Sequence, residues 1–181
     1  MPPKKARTSP VWSDVKAKLT AFDRAGLLGL LQDLYAVDKN NRTFLHSRLG
    51  VGADPLAVYK KAIESAVSFD WNKPVRLTEA RKAIADYRKA IGKPEGMLEL
   101  QTFFCERAMA FSMEFGFMDD AYANAIATQF TGATGMLKVV LPPARDEYVA
   151  RLSEVVALAG NVGYGLDGEL ADLLEGAGFA A

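Results

Sequence analysis

One histidine and one cysteine are all that 181 residues contain of the two strongest transition-metal ligands. A lone cysteine excludes an internal disulfide, and the shortage of both residues excludes a zinc cluster built from them. No G-x-x-x-x-G-K-[ST] loop occurs, no G-x-G-x-x-G follows a strand, and no G-x-S-x-G elbow is present. The usual phosphate cradles and the strained serine nucleophile are therefore missing. "GATG" and "GYGLDG" are glycine-rich but stand among helices; "GYG" reads as a helix–helix turn with Tyr164 packing back onto the core. No Glu-x-x-His pair exists, which removes the di-iron bundle pattern.

Long hydrophobic runs are also lacking. The most apolar stretch, Leu100 to Met118, is interrupted by Glu106, Arg107 and Glu114. A charge at the centre of a spanning helix costs about 2.5–3.5 kcal/mol, so a membrane span is not expected. The start, "MPPKKARTSP", lacks the apolar segment of a secretory signal. With one cysteine, a reducing cytoplasmic setting is the expectation. No segment alternates with period two and no Asn-Gly hairpin signal appears, so strands are not expected either.

What is present is helical periodicity. Residues 1–10 hold three prolines and three basic side chains and read as a disordered basic arm. Trp12, Val15 and Leu19 then mark a first helix. Asp23 is placed to cap a second, whose buried face is Leu27, Leu28, Leu31, Leu34 and Tyr35. "DKNN" breaks it, and a short third helix docks through Phe44, Leu45 and Leu49. Asp54 and Pro55 start a fourth, with a stripe of Leu56, Tyr59, Ile63 and Val67. "SFDWNKP" reads as a loop. Leu77, Ala80, Ile84, Tyr87 and Ile91 mark the fifth helix. The sixth, from about Pro94 to Phe115, is apolar nearly all round and should lie at the centre. Asp119 can cap a seventh, with Gly132 and Gly135 weakening its continuity. Helices over about 145–158 and after Asp167 complete the chain.

The fold class is therefore all-α: a compact multi-helix bundle of eight or nine helices, with a short α-solenoid of antiparallel helical hairpins as the variant. The expected layout is the arm over 1–10, a single domain over 11–176 and a frayed tail over 177–181.

The net charge of zero hides a division. Residues 1–93 carry 18 Lys/Arg and 9 Asp/Glu, and residues 94–181 carry 4 and 13, so the halves stand at +9 and −9. Such asymmetry marks a surface for an anion such as nucleic acid, halves that pair within one chain, or copies that meet basic side to acidic side. The nucleic-acid candidates are Lys4, Lys5 and Arg7 in the arm and Arg76, Arg81, Lys82, Arg88, Lys89 and Lys93 along the fifth helix. Arg81 and Arg88 border its apolar stripe, Lys82 and Lys89 lie on the far side, and Glu79 and Asp86 are spaced to pair with Lys82 and Lys89.

The remaining chemistry is thin. His46 falls off the Phe44/Leu45/Leu49 face and reads as exposed or helix-capping. Cys105, between Phe104 and Glu106 on the central helix, reads as an inert core thiol. Glu95, Glu99, Thr102 and Glu106 line one side of that helix, either as a carboxylate metal site or as its one ion-paired side; the ion-paired reading is preferred.

"LLQDLYAVDKNNRTFLHSRLG", "DPLAVYKKAIESAV" and "GNVGYGLDGELADLL" together resemble an uncharacterised bacterial all-helical family, a domain of unknown function. The resemblance covers about residues 28–67 and 160–174. It implies an all-α bacterial protein and assigns no site residue. The expectation is thus a non-enzymatic protein-interaction or regulatory module, self-associating through its basic and acidic halves. The alternative is a nucleic-acid-associated factor using the arm and the helix over 76–91. No cofactor, metal or catalytic residue is expected, and no membrane partner.

Overall fold

The computed structural model describes residues 9–52, 54–68 and 74–180. Lys4, Lys5, Arg7 and most of the expected arm lie outside them, as does most of the expected "SFDWNKP" loop. Among the described residues the chain is all-α, with nine helices and no strand: α1 (Trp12–Leu19), α2 (Arg24–Val37), α3 (Lys39–Leu49), α4 (Ala57–Val67), α5 (Leu77–Ala90), α6 (Pro94–Phe115), α7 (Asp120–Leu137), α8 (Ala144–Ala159) and α9 (Leu166–Gly176). Packing divides the chain into two units, Met1–Leu45 and His46–Ala181, where the sequence suggested one domain over 11–176.

The first unit holds α1, α2 and the start of α3. Asp23 caps α2 by accepting from the Gly26 amide at 2.7 Å. The expected "DKNN" break shrinks to one residue. Asp38 accepts from the Asn40 amide at 2.6 Å and so starts α3 at Lys39, while the Asn41 side chain donates to the Leu34 carbonyl at 2.8 Å and closes α2. None of these three helices contains a buried residue. The expected buried face of α2 is a correction: Leu27, Leu28, Leu31, Leu34 and Tyr35 are all exposed, and so are Trp12, Val15 and Phe44. Three short helices offer too little surface to enclose so many large side chains.

The second unit is built around α6. Thirteen of its residues are buried, and α4, α5, α7 and α8 all pack on it. A solenoid, in which each repeat touches only its sequence neighbours, does not place one helix inside four others, so the solenoid variant falls. Its bounds are those the sequence suggested, because Pro94 opens it and Gly116, left-handed at φ 63, ends it. Ile63, Leu98, Leu100, Phe104, Met109, Ile126, Phe130, Leu152 and Leu170 form the core. Residues 120–137 run as one helix despite Gly132 and Gly135. Gly132 is there because α6 passes close: a Cβ would collide with the Gln101 amide. Three local expectations change. Asp54 and Pro55 precede α4 rather than opening it: Leu56 is its N-cap, and the Asp54 carboxylate accepts from the Leu56 amide at 2.8 Å. Asp167 lies within the first turn of α9 rather than capping it, since left-handed Gly165 takes that place. Tyr164 is 60% exposed, and its hydroxyl donates to the Met118 carbonyl at 3.1 Å. In the expected tail, Phe179 is half-buried, with the Arg145 guanidinium over its ring.

Candidate functional site

α5 buries Ala80, Ala83, Ile84, Tyr87 and Ala90, which turns its other side to solvent. At 100° per residue, Arg88, Arg81, Lys89 and Lys82 fall within about 120° of that outer arc, and all four are exposed. Lys82 pairs with Asp86 at 2.5 Å. The expected partner role of Glu79 is corrected: Glu79 pairs with Arg76 at 2.8 Å instead. Among the described residues no carboxylate pairs with Arg81, Arg88 or Lys89. Arg48 joins the same end of the helix by donating to the Ala90 carbonyl at 3.2 Å, where a cation meets the negative end of the helix dipole.

Arg76 does not belong to this face. It is half-buried, and its guanidinium donates to the Ser65 carbonyl and hydroxyl at 3.2 and 3.3 Å. It ties the start of α5 to the end of α4. Lys93 is exposed but precedes α6 as its N-cap, one turn beyond the basic arc.

Of the carboxylate stripe of α6, Glu99 and Glu106 are ion-paired, while Glu95 is exposed with no ion-pair partner among the described residues. Arg151, from α8, grips Glu106 at two points, Nε to Oε1 at 2.6 Å and Nη2 to Oε2 at 2.8 Å. Its Nη1 also reaches Glu99 at 2.6 Å. Lys60, from α4, meets the other oxygen of Glu99 at 2.6 Å. Burial pushes the Glu99 carboxyl up, but the Arg151 and Lys60 hydrogen bonds outweigh it and hold the group below the usual range. Glu106 and Glu99 in turn hold the Arg151 cation firmly protonated, against the opposing effect of its burial. Burial and the adjacent Glu99 push the Tyr148 phenol up to about 12. Both inward carboxylates are engaged by cations of the protein itself. Among the described residues no group of three or more His, Cys, Asp or Glu side chains is placed to hold a metal ion. Sequence reasoning missed Arg151 as the anchor; the available signal was one arginine beside the apolar positions Tyr148, Leu152 and Val155.

His46 is exposed in the last turn of α3, and its carbonyl accepts from Val51 at 2.8 Å. The Cys105 thiol is fully buried, 3.7 Å from the Ile126 carbonyl, and burial raises it far above its ordinary value. An open cleft of about 410 Å³ is lined by Pro74, Val75, Leu77, Phe117, Asp119, Ala121 and Tyr122. Its lining carboxylate, Asp119, already caps α7 by accepting from the Tyr122 amide at 2.7 Å.

The halves of the charge division do little pairing with each other in the second unit. Among the described residues Lys60–Glu99 is the one ion pair joining a cation of residues 1–93 to an anion of residues 94–181. Arg107–Glu64 crosses in the opposite sense.

The remaining features are surfaces: the exposed leucines of α2 and the basic arc of α5. No helix of the described residues is long and apolar enough to cross a membrane. No family model matches the chain, and no curated protein and no solved structure matches it.

Proposed function

We propose that this is a non-enzymatic protein-interaction module of the bacterial cytoplasm that associates with itself. One observation carries the reading: α1, α2 and α3 expose a run of large apolar side chains, among them Trp12, Leu28, Leu34 and Val37, without burying one residue. Apolar surface on that scale marks an interaction site in a monomeric domain. The basic and acidic halves add steering to the encounter, and that contribution is screened beyond about 8 Å at physiological ionic strength. Light scattering over a concentration series, at low and high salt, tests it. A mass above 19.6 kDa that rises with concentration is expected. A monomer throughout, with nothing retained in pull-downs, overturns it.

The basic arc of α5 favours a second reading, a nucleic-acid-associated factor. Its four exposed cations could follow a phosphate backbone. Replacing Arg81, Lys82, Arg88 and Lys89 with alanine would then weaken DNA or RNA binding and flatten its salt dependence. No binding by the unmodified protein at low salt ends this reading.

A further inference from the structure

Self-association, the reading on which this inference rests, needs a particular surface, and α2 specifies one. At 100° per residue, Val37, Leu30, Leu34, Leu27, Leu31, Tyr35 and Leu28 occupy about 180° of the helix, in that order around it. The opposite half carries Ala25, Gly26, Gly29, Gln32, Asp33 and Ala36. The seven apolar side chains are between 37% and 80% exposed. From Arg24 to Val37 the helix runs about 21 Å.

We propose that the occupant of this face is α2 of a second copy, packed antiparallel about a two-fold axis through Leu31. Three observations favour this occupant.

The first is area. The seven side chains present on the order of 600 Å² per copy, or about 1,200 Å² over two, taking roughly 150–220 Å² for each residue fully exposed. The area available thus reaches the lower limit of specific interfaces.

The second is charge. With Leu31 on the axis, Leu28 faces Leu34 of the second copy and Leu27 faces its Tyr35. Arg24 then meets Asp38 of the second copy, and the pair occurs twice. Neither Arg24 nor Asp38 has an ion-pair partner among the described residues. Antiparallel packing also sets the two helix dipoles against each other favourably. A parallel pair would place Arg24 on Arg24 and Asp38 on Asp38.

The third is the polar half. An interfacial membrane helix needs Lys or Arg on its polar face, and that half of α2 has none.

The test uses the full chain in sedimentation equilibrium, with circular dichroism checking each variant's fold. The unmodified protein should form a dimer of twice 19.6 kDa that persists at high salt. Leu31→Asp should return it to the monomer. Asp38→Asn, which keeps a side-chain oxygen for the Asn40 amide, and Arg24→Asp should each weaken the dimer, the latter by roughly threefold to tenfold, and Arg24→Asp should cost less in the Asp38→Asn background than in the unmodified protein. That coupling between two sites has no explanation in a folding defect. A dimer indifferent to Leu31→Asp, or one dissolved by salt, places association elsewhere and overturns this inference while leaving self-association intact. An Arg24→Asp effect that is the same with and without Asp38→Asn overturns the antiparallel register. A monomer at every concentration overturns both, and the face is then covered within the chain or by a different protein.

Discussion

Arg151 and Glu106, 45 positions apart in sequence, form a two-point ion pair with both N–O distances under 3 Å. Arg151 also spans to Glu99, so one guanidinium from α8 closes the polar side of the central helix. Side-by-side geometry of this kind is the strongest form of Arg–carboxylate contact. The guanidinium pairs with Glu106, which has no other ion-pair partner among the described residues, and shares Glu99 with Lys60, so it forms the joint between α6 and α8.

Arg151→Ala should therefore destabilise the fold. Glu106 loses both of its hydrogen bonds to the guanidinium, while Glu99 keeps Lys60. With Arg151 and Glu106 about one-third exposed, the loss should be about 1–3 kcal/mol, below that of a fully buried pair. Urea unfolding checks this. A loss within about 0.5 kcal/mol, the range of an ordinary surface substitution, would mean that solvent already carries these carboxylates.

Stability should fall on acidification through Glu99. Its folded carboxyl lies below the ordinary 4.5, so in the acid range the unfolded chain binds the proton first. The stabilisation is fully present above the ordinary value and is lost as pH drops through the folded one. Glu99→Gln should flatten the slope of unfolding free energy against pH below about 4.5 relative to the unmodified protein. An unchanged slope assigns the acid sensitivity to other carboxylates.

Two glycines on α7 should behave oppositely. A Cβ added at Gly135 would meet nothing within 4 Å, so Gly135→Ala should gain up to about 1 kcal/mol of helix propensity. Gly132→Ala drives a methyl into the Gln101 amide and should cost about 1–3 kcal/mol. Adding Gln101→Ala should recover part of that loss, a coupling that a double-mutant cycle measures. Additive effects would show that the two residues do not touch.

Cys105 should resist thiol reagents in the folded protein and react fully in denaturant. It is buried, and its thiolate is disfavoured by that burial. Rapid native labelling would mean that α6 and α7 separate readily.

Much of the helical architecture was legible because its signals are local. Asp23 and Asp119 cap where their spacing suggested. Pro94 and Gly116 bound α6, and its all-round apolar surface foretold its central place. The ion-paired character of Glu99 and Glu106 was also legible, from a polar stripe on an otherwise apolar helix. Arg76 was misplaced because a basic residue at a helix start reads alike whether it faces solvent or turns back onto Ser65. The face of α2 was misjudged for a related reason. Periodicity reveals that a helix has an apolar side but carries no information about what covers it.

By itself, then, the sequence determined the helices, the Asp23 and Asp119 caps, the central position of α6 and the +9/−9 division, since each depends on neighbours within a few positions or on composition alone. Only the tertiary structure decided that Arg151 reaches across 52 residues to Glu99. It also decided that Arg81, Arg88 and Lys89 share one outer arc with no carboxylate partner among the described residues, and that the leucines of α2 stay uncovered. Those outcomes depend on which helices meet, and that is settled by packing and charge pairing between segments far apart in the chain.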